Sequence, residues 1–349
     1  MKAHKLALVF APVFSVAVLG AGQTLLELKP TGTVTVPGRT ANAFIEPIKC
    51  DPSSNVYVQV AQESDPPGQT LVTRLSPDGK ATVFPLPTNP EAEKLGIIDF
   101  APMPDGGIML LTTDYKGKNY LETYDDHAQF QSRSPLPAEV DPRQIAVSSK
   151  GKVLVGGLYS TPAPGGLGTS RPFAGIFEAR GRLEREVVLT EGPQVSEAES
   201  PRDSESRTAQ GSAENQQAMT FSSAQGSANG NFILARLGSR GPIYIISPAA
   251  VELNRVSPPI PDGILLSSVK VDGNVIAAMY IKKKAGSTQN EISDVFISLL
   301  DSQTGDEQAR FHHSSWQLGA AFACYKAGVF TFLSSGPNDE LQIVRAGAQ

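Results

Sequence analysis

The sequence lacks any apolar segment long enough to span a bilayer. The run Leu6–Leu19 has 14 residues and contains Pro12, whereas a transmembrane helix needs about 20. Two lysines precede this run and the small residues Gly20–Gly22 follow it, which is the order found in a cleaved signal peptide. Residues 1–22 are therefore predicted to direct export, to the periplasm or outside the cell. A membrane anchor is the rival interpretation, and no membrane association is expected after cleavage.

The sequence also lacks an excess of basic residues. It has 30 lysines and arginines against 35 acidic residues, a formal net charge of −5. No basic stretch is interleaved with aromatic residues, as a phosphate-binding surface would require. Nucleic acid is therefore not expected as a partner.

Residue types that carry catalysis are scarce. There are 4 histidines, and the adjacent pair His312 and His313 would point to opposite faces of a regular strand, so the two cannot hold one metal ion. No Gly-x-Ser-x-Gly sequence is present for a serine nucleophile. The sequence therefore carries no signature that assigns a reaction or an organic cofactor.

What the sequence does contain is a unit repeated six times: an apolar run, a small polar turn and a second run rich in β-branched residues. Asp-Gly and Asn-Gly turns between apolar runs predict β-hairpins in which both central residues have positive φ. The turns are Pro52–Asn55, Pro104–Gly107, Ser149–Gly151, Ala228–Asn231, Val271–Asn274 and Lys326–Gly328.

A second hairpin follows within the units. In the first unit its strands are predicted at Leu71–Leu75 and Ala81–Phe84, joined by Ser76–Gly79. In the third unit they are predicted at Ala174–Phe177 and Glu186–Leu189. Four strands per unit and a spacing of about 40 to 55 residues are typical of propeller blades.

One interval is longer than the others. Gly151 and Gly230 are 79 positions apart, and residues 190–217 between them are rich in Glu, Ser, Gln and Arg with almost no apolar side chains. Such a segment buries too little surface to offset its ordering entropy. It is predicted to be a disordered insertion within a single domain that covers residues 23–349.

The last unit has three strands and lacks a fourth. Its third strand is Leu341–Val344, after which the chain ends, and an unassigned strand, Thr33–Val36, precedes the first unit. Pairing these two strands would complete the last sheet and close a ring without exposed sheet edges. The predicted fold is an all-β, six-bladed β-propeller of four-stranded blades, closed by its N-terminal strand.

Through these turns and hairpins the sequence resembles the six-bladed propellers grouped as NHL-like or TolB-like, across nearly all of residues 23–349. The resemblance implies a ligand site at the mouth of the central channel, where the innermost strands begin. By register the channel-lining positions are Glu46, Asp99, Arg143, Gln217, Ser267 and Gln317. Propeller lactonases hold a divalent cation with acidic and amide side chains at such positions, so Glu46 and Asp99 are candidate ligands for an ion such as calcium. The alternative is that both are solvated or ion-paired rim charges.

The two cysteines, Cys50 and Cys324, occupy matching places on the innermost strands of the first and last units. In a ring these units are neighbours, so a disulfide between them would join the two ends of the chain. The alternative is a pair of free thiols whose Cα atoms lie beyond the roughly 7 Å limit for a bridge.

Two functions are consistent with these patterns. The regular repeat without a catalytic cluster favours a binding or scaffold module for a protein or a small ligand. The alternative is a metal-dependent hydrolase or lactonase that uses Glu46 and Asp99 at the channel mouth.

Overall fold

The computed structural model describes residues 25–41, 44–60, 71–85, 95–114, 116–161, 169–189, 221–238, 241–258, 264–284, 292–313, 318–319 and 321–348. Of residues 44–46, 60 and 169 only the backbone is described. The predicted signal peptide and the predicted insertion at 190–217 lie outside these ranges. No helix within them is both long and apolar enough to cross a membrane.

The described chain folds into β-strands arranged as a propeller with four-stranded blades. Four blades are built from strands consecutive in sequence: β2–β5, β6–β9, β10–β13 and β14–β17. Their bounds are Phe44–Cys50, Val56–Val60, Leu71–Leu75 and Ala81–Phe84; Gly96–Pro102, Ile108–Thr113, Asn119–Tyr124 and Phe130–Pro135; Val140–Val147, Val153–Thr161, Thr169–Phe177 and Leu183–Glu186; Ser223–Gly226, Phe232–Ala235, Ile243–Ile246 and Glu252–Val256.

The remaining strands form one sheet of eight, in the order β18-β19-β20-β21-β1-β24-β23-β22. Their bounds are Leu25–Thr40 for β1, then Ile264–Asp272, Val275–Lys283, Ile292–Asp301, Glu307–His312, Ala321–Lys326, Val329–Ser335 and Glu340–Ala348 for β18 to β24.

The predicted pairing of the N-terminal strand with the last strand is confirmed. In β1, Thr33, Val34 and Thr35 lie opposite Val344, Ile343 and Gln342 of β24, in antiparallel register. Strand β1 is much longer than predicted, at 16 residues. Its first part, Leu25–Glu27, pairs in parallel with β21. This extra pairing joins what was predicted as two separate sheets into one.

The innermost strands contact one another in chain order. Strands β2, β6, β10, β14 and β18 touch in sequence, and β22 contacts both β18 and β2. Clusters of buried apolar side chains fill the spaces between neighbouring sheets. Between the first two blades, Tyr57 and Phe84 pack with Phe100 and Tyr124, all at most 1% exposed. Burying one such side chain contributes about 1.5–3 kcal/mol.

The turn prediction is confirmed at Lys326–Gly328, where Ala327 and Gly328 both have positive φ between the paired residues Lys326 and Val329. It is wrong at Ser76–Gly79 and Pro104–Gly107, where only Gly79 and Gly106 have positive φ. A chain reversal of this second kind is closed by two backbone hydrogen bonds, such as Gly79 N to Ser76 O and Ser76 N to Lys80 O. These two hairpins therefore do not use a two-residue mirror-image turn.

Candidate ligand site at the propeller axis

A cavity of about 250 Å³ lies on the axis, at the face where the innermost strands end. It is lined by the C-terminal ends of β2, β6, β10, β14, β18 and β22 and by the turns that follow. Each innermost strand runs in the same direction along the axis, so these six ends converge on one space. The short turns of the repeat thus form the rim of the cavity.

The wall of the cavity is largely apolar. Ala101, Met103, Ala146, Val147 and Tyr325 are among its lining residues. Small side chains dominate because neighbouring innermost strands approach closely near the axis. A Cβ atom on Gly226 would collide with the backbone carbonyl of Val147 on the adjacent strand. This packing leaves a compact space with a mostly hydrocarbon surface.

The two carboxylates at the rim are already engaged by the protein. Asp51 accepts hydrogen bonds from the backbone N–H groups of Ser53 and Asn55, at 2.8 and 3.0 Å, and from Asn55 Nδ2 at 2.6 Å. Asp272 accepts the N–H of Ala327 at 2.9 Å. These hydrogen bonds hold the turns in place, and both carboxylates remain part of the rim.

A buried ion pair forms part of the floor. Lys49 Nζ lies 2.7 Å from Asp99 Oδ2, and the two side chains are 5% and 0% exposed. Lys49 Nζ also donates to the carbonyl of Ile145 at 2.7 Å. Asp99 in turn accepts the N–H groups of Ile145 and Phe100, at 2.7 and 2.8 Å. The pair therefore ties together β2, β6 and β10 at the axis.

Burial dominates the electrostatics of this pair. Desolvation lowers the pKa of the Lys49 ammonium, and the attraction of Asp99 opposes that shift. Desolvation likewise raises the pKa of the Asp99 carboxyl, against the attraction of Lys49 and three hydrogen bonds. Each charge thus depends on the other for its stability in the interior.

A second cavity, of about 40 Å³, lies further along the axis. Lys49 and Gln225 line both cavities, so their side chains belong to the layer that separates them. Gln225 Nε2 donates to the carbonyl of Val269. Lys270, which lines the smaller cavity, donates from Nζ to the carbonyl of Ile48 at 2.5 Å. The channel is therefore interrupted by a polar layer.

Of the predicted channel residues that the structure describes, two face the axis and one faces solvent. Asp99 is at the axis and bound to Lys49, while Ser267 lines the smaller cavity. Arg143 is exposed and pairs with Asp141 at 2.8 Å, and its neighbour Gln144 lines the smaller cavity instead. A β-bulge between Pro142 and Gln144 sets which side chain faces inward.

The side chains of three other predicted channel residues are not described by the structure. Gln217 and Gln317 lie outside the described residues, as does the side chain of Glu46. A calcium ion at Asp99 would have to compete with the ammonium of Lys49 and two backbone N–H groups. The metal site of Glu46 and Asp99 thus stays a prediction from the sequence.

Sequence reasoning missed Lys49, Lys270 and Gln225. The first two are single lysines flanked by apolar residues, in the segments Pro47–Cys50 of β2 and Val269–Val271 of β18. A lysine at the centre of a buried strand requires a partner. That rule was the signal that could have drawn attention to both positions.

The two cysteines are bonded. Cys50 and Cys324 form a disulfide with their Cα atoms 5.8 Å apart, within bridging distance. Both residues line the larger cavity. The bond joins β2 to β22 across the junction of the first and last sheets.

One surface group of acidic and histidine side chains comes close together among the described residues: Asp125, Asp126 and His127. Asp125 Oδ1 accepts the backbone N–H groups of His127 and Gln129, at 3.0 and 2.8 Å, and His127 Nδ1 lies 2.6 Å from Asp126. These bonds build an exposed hairpin turn, which accounts for the cluster.

Comparison with known proteins extends to the fold alone. No family model matches the sequence, and no curated protein matches it either. The structure is similar to the WD40 domain of Neurospora crassa Pan2, with a TM-score of 0.44 at 8% identity over 93% of this chain and 96% of that one. It is also similar to YCF48 bound to a D1 peptide, with 0.42 at 11% over 94% and 98%. The Dos1 propeller gives 0.42 at 11% over 93% and 78%.

Proposed function

We propose that this protein is a non-enzymatic binding module whose ligand occupies the axial cavity. The observation that carries the proposal is that all six innermost strands contribute to one cavity of about 250 Å³ with a largely apolar wall. These strands are β2, β6, β10, β14, β18 and β22. Mostly apolar, concave sites with few converging polar groups are typical of small-ligand sites. Lys49, which lines the cavity, is held by Asp99 behind it and by the carbonyl of Ile145, as in a preorganised receptor.

The proposal includes a ring of six blades. The eight-stranded sheet then counts as two blades, β18–β21 and β22–β24 completed by β1. The cyclic contacts of the innermost strands support this count, because β22 touches both β18 and β2. The Cys50–Cys324 bond supports it too, since it joins the blades at the two ends of the chain.

The proposal also places the protein outside the cytoplasm. The sequence pattern of residues 1–22 supports export. A disulfide on the axis is in keeping with an oxidising compartment. The ligand is then a molecule met in the periplasm or in the extracellular medium.

The size of the cavity limits the ligand. Sites for drug-sized ligands measure about 300–1,000 Å³, and this cavity lies just below that range. It suits a compact molecule of a few to a dozen heavy atoms, or one side chain of a larger partner.

Blocking the mouth tests the function directly. Ala228 lines the cavity and is exposed, so Ala228→Trp narrows the entrance without overpacking the core. We expect compounds from a fragment library to raise the melting temperature of the native protein and to lose that effect in the variant. Ala179→Trp is the matched control, because Ala179 is an exposed turn alanine outside the cavity lining. Fragments that stabilise the native protein and Ala228→Trp equally would place the ligand site elsewhere.

A further inference from the structure

The hydrogen-bond capacity of the floor exceeds what the protein itself uses. A lysine ammonium has three N–H donors and no acceptor. Lys49 makes two hydrogen bonds, to Asp99 and to the carbonyl of Ile145. The side-chain amide of Gln225 has two N–H donors and makes one hydrogen bond, to the carbonyl of Val269. Counting partners among the described residues, one N–H on each side chain is thus left over.

These two residues lie where a ligand would meet them. Both line the larger cavity, and Lys49 is 4% exposed. A buried donor without an acceptor is unfavourable, so a ligand that supplies an acceptor to Lys49 gains binding free energy. The floor therefore favours hydrogen-bond acceptors over donors.

The wall selects for the rest of the molecule. Ala101, Met103, Val147 and Tyr325 present hydrocarbon surface, and the rim carboxylates Asp51 and Asp272 accept hydrogen bonds from their own turns. An aliphatic or aromatic body of limited size fits this wall. A polyanion does not, because the lining has only two cationic side chains, Lys49 and Lys326, against the two rim carboxylates.

We propose that the axial cavity binds a compact monocarboxylate, with the carboxylate on Lys49 and Gln225 and the apolar body against the wall. This inference rests on the proposed function and adds the chemical class of the ligand. Charge-assisted hydrogen bonds from an ammonium to a carboxylate are about twice as strong as neutral ones. A carboxylate should thus be preferred over an alcohol of the same shape by about tenfold or more.

The probes are benzoate, benzamide, benzyl alcohol and benzylamine. Each is titrated by calorimetry into the oxidised protein without its predicted signal peptide, residues 23–349. We expect benzoate to bind at least about tenfold more tightly than benzyl alcohol, and benzylamine to bind most weakly. Carboxyl-labelled benzoate adds an NMR readout: the pKa of the bound acid should fall below that of the free acid, because the Lys49 ammonium stabilises its ionised form. Two sources can supply such a carboxylate: a small free acid and the C-terminus of a peptide. Acetyl-phenylalanine distinguishes them, since a peptide terminus must fit in the cavity together with its amide.

The variants remove the donors without leaving a buried charge. Lys49→Met/Asp99→Asn eliminates both members of the ion pair, and Gln225→Met removes the second donor. Each should lower the preference for benzoate over benzyl alcohol, the double variant to near unity, while the folded signal in circular dichroism is retained. Lys152→Met is the control, because Lys152 is paired with Glu184 outside the cavity. It should leave the preference unchanged.

Two results would overturn the inference, and they are distinguishable. If benzyl alcohol binds in a manner blocked by Ala228→Trp, but benzoate binds no more tightly, the carboxylate preference is wrong and the binding function stands. If none of the four probes binds, both the ligand class and the axial site fail. A preference that survives in Lys49→Met/Asp99→Asn would also contradict the role given to Lys49.

Discussion

At the scale of single residues, the buried ion pair of Lys49 and Asp99 is a position where one substitution should strongly destabilise the fold. Both are buried at the axis, and each satisfies the other while also bonding the backbone of Ile145. An isolated charge in such a place is costly, whereas a pair with good geometry is tolerated. The same arrangement that exposes a donor to the cavity thus also holds three strands together.

The first prediction concerns this pair. Asp99→Ala should lower the free energy of unfolding by about 3–5 kcal/mol, because it leaves the Lys49 ammonium buried without its counter-charge. Lys49→Met/Asp99→Asn should cost clearly less than the sum of Lys49→Met and Asp99→Asn. Urea denaturation followed by circular dichroism measures all four variants. Additive losses would show that the two side chains are not energetically coupled.

The residues of the site were only partly accessible from the sequence. Asp99 and Ser267 were expected at the channel by register; Asp99 is paired with Lys49, and Ser267 lines the smaller cavity. Lys49 was missed because β2 contains an irregularity between Ile45 and Lys49. A bulge changes which side chains face the axis, and no local sequence signal reveals where it falls.

At the scale of elements, the first part of β1 depends on a histidine between two acids. His312 of β21 lies with Nδ1 3.2 Å from Glu27 of β1 and with Nε2 2.7 Å from Asp294 of β20. Partial burial opposes protonation, but the hydrogen bonds to Asp294 and Glu27 outweigh it and raise the pKa of His312. The protonated ring thus fastens Leu25–Glu27 to the sheet.

The second prediction follows from the sign of that shift. A histidine whose pKa is higher in the folded chain stabilises the fold fully below its unfolded pKa of about 6.5, and the contribution is lost as pH rises through the folded value. The difference in melting temperature between the native protein and His312→Gln should therefore be largest below about pH 6.5 and should decrease as pH rises through the higher pKa of the folded chain. Asp294→Asn should reduce this difference. A difference that is constant with pH would contradict the assignment.

Elements were predicted well where turn chemistry is explicit. Strands Leu71–Leu75 and Ala81–Phe84 match the prediction because the turn Ser76–Gly79 fixes both ends. In the third blade the fourth strand is Leu183–Glu186 and not Glu186–Leu189. The turn lies at Gly181 as predicted, with Gly181 N bonded to Glu178 O, but the strand begins directly after it, and a bulge at the start of β13 shifts the register.

At the scale of the whole molecule, a strand pairing and a disulfide join the ends of the chain. Strand β1 pairs with β24 in the last sheet, and the Cys50–Cys324 bond connects that sheet to the first blade. Counting strands in the sequence was sufficient to predict the pairing of β1 with β24, because the last unit lacks a strand that the N-terminal segment can supply. The length of β1, and hence its second pairing with β21, was not encoded in any local repeat.

The third prediction concerns the disulfide. Cys50→Ala/Cys324→Ala should lower the free energy of unfolding by about 2–5 kcal/mol, because the bond constrains an unfolded chain over a separation of 274 residues. Unfolding by guanidinium measures the loss, and the native protein with its disulfide reduced should behave like the variant. Equal stability of all three would mean that the bond does not constrain the unfolded chain.

The most direct test of the account is a crystal structure of the protein grown with benzoate. The account predicts a bound molecule in the axial cavity, its carboxylate about 3 Å from Lys49 Nζ and its ring against Met103 and Val147. An axial cavity without benzoate, with the molecule bound between blades or on the outer rim, would contradict it.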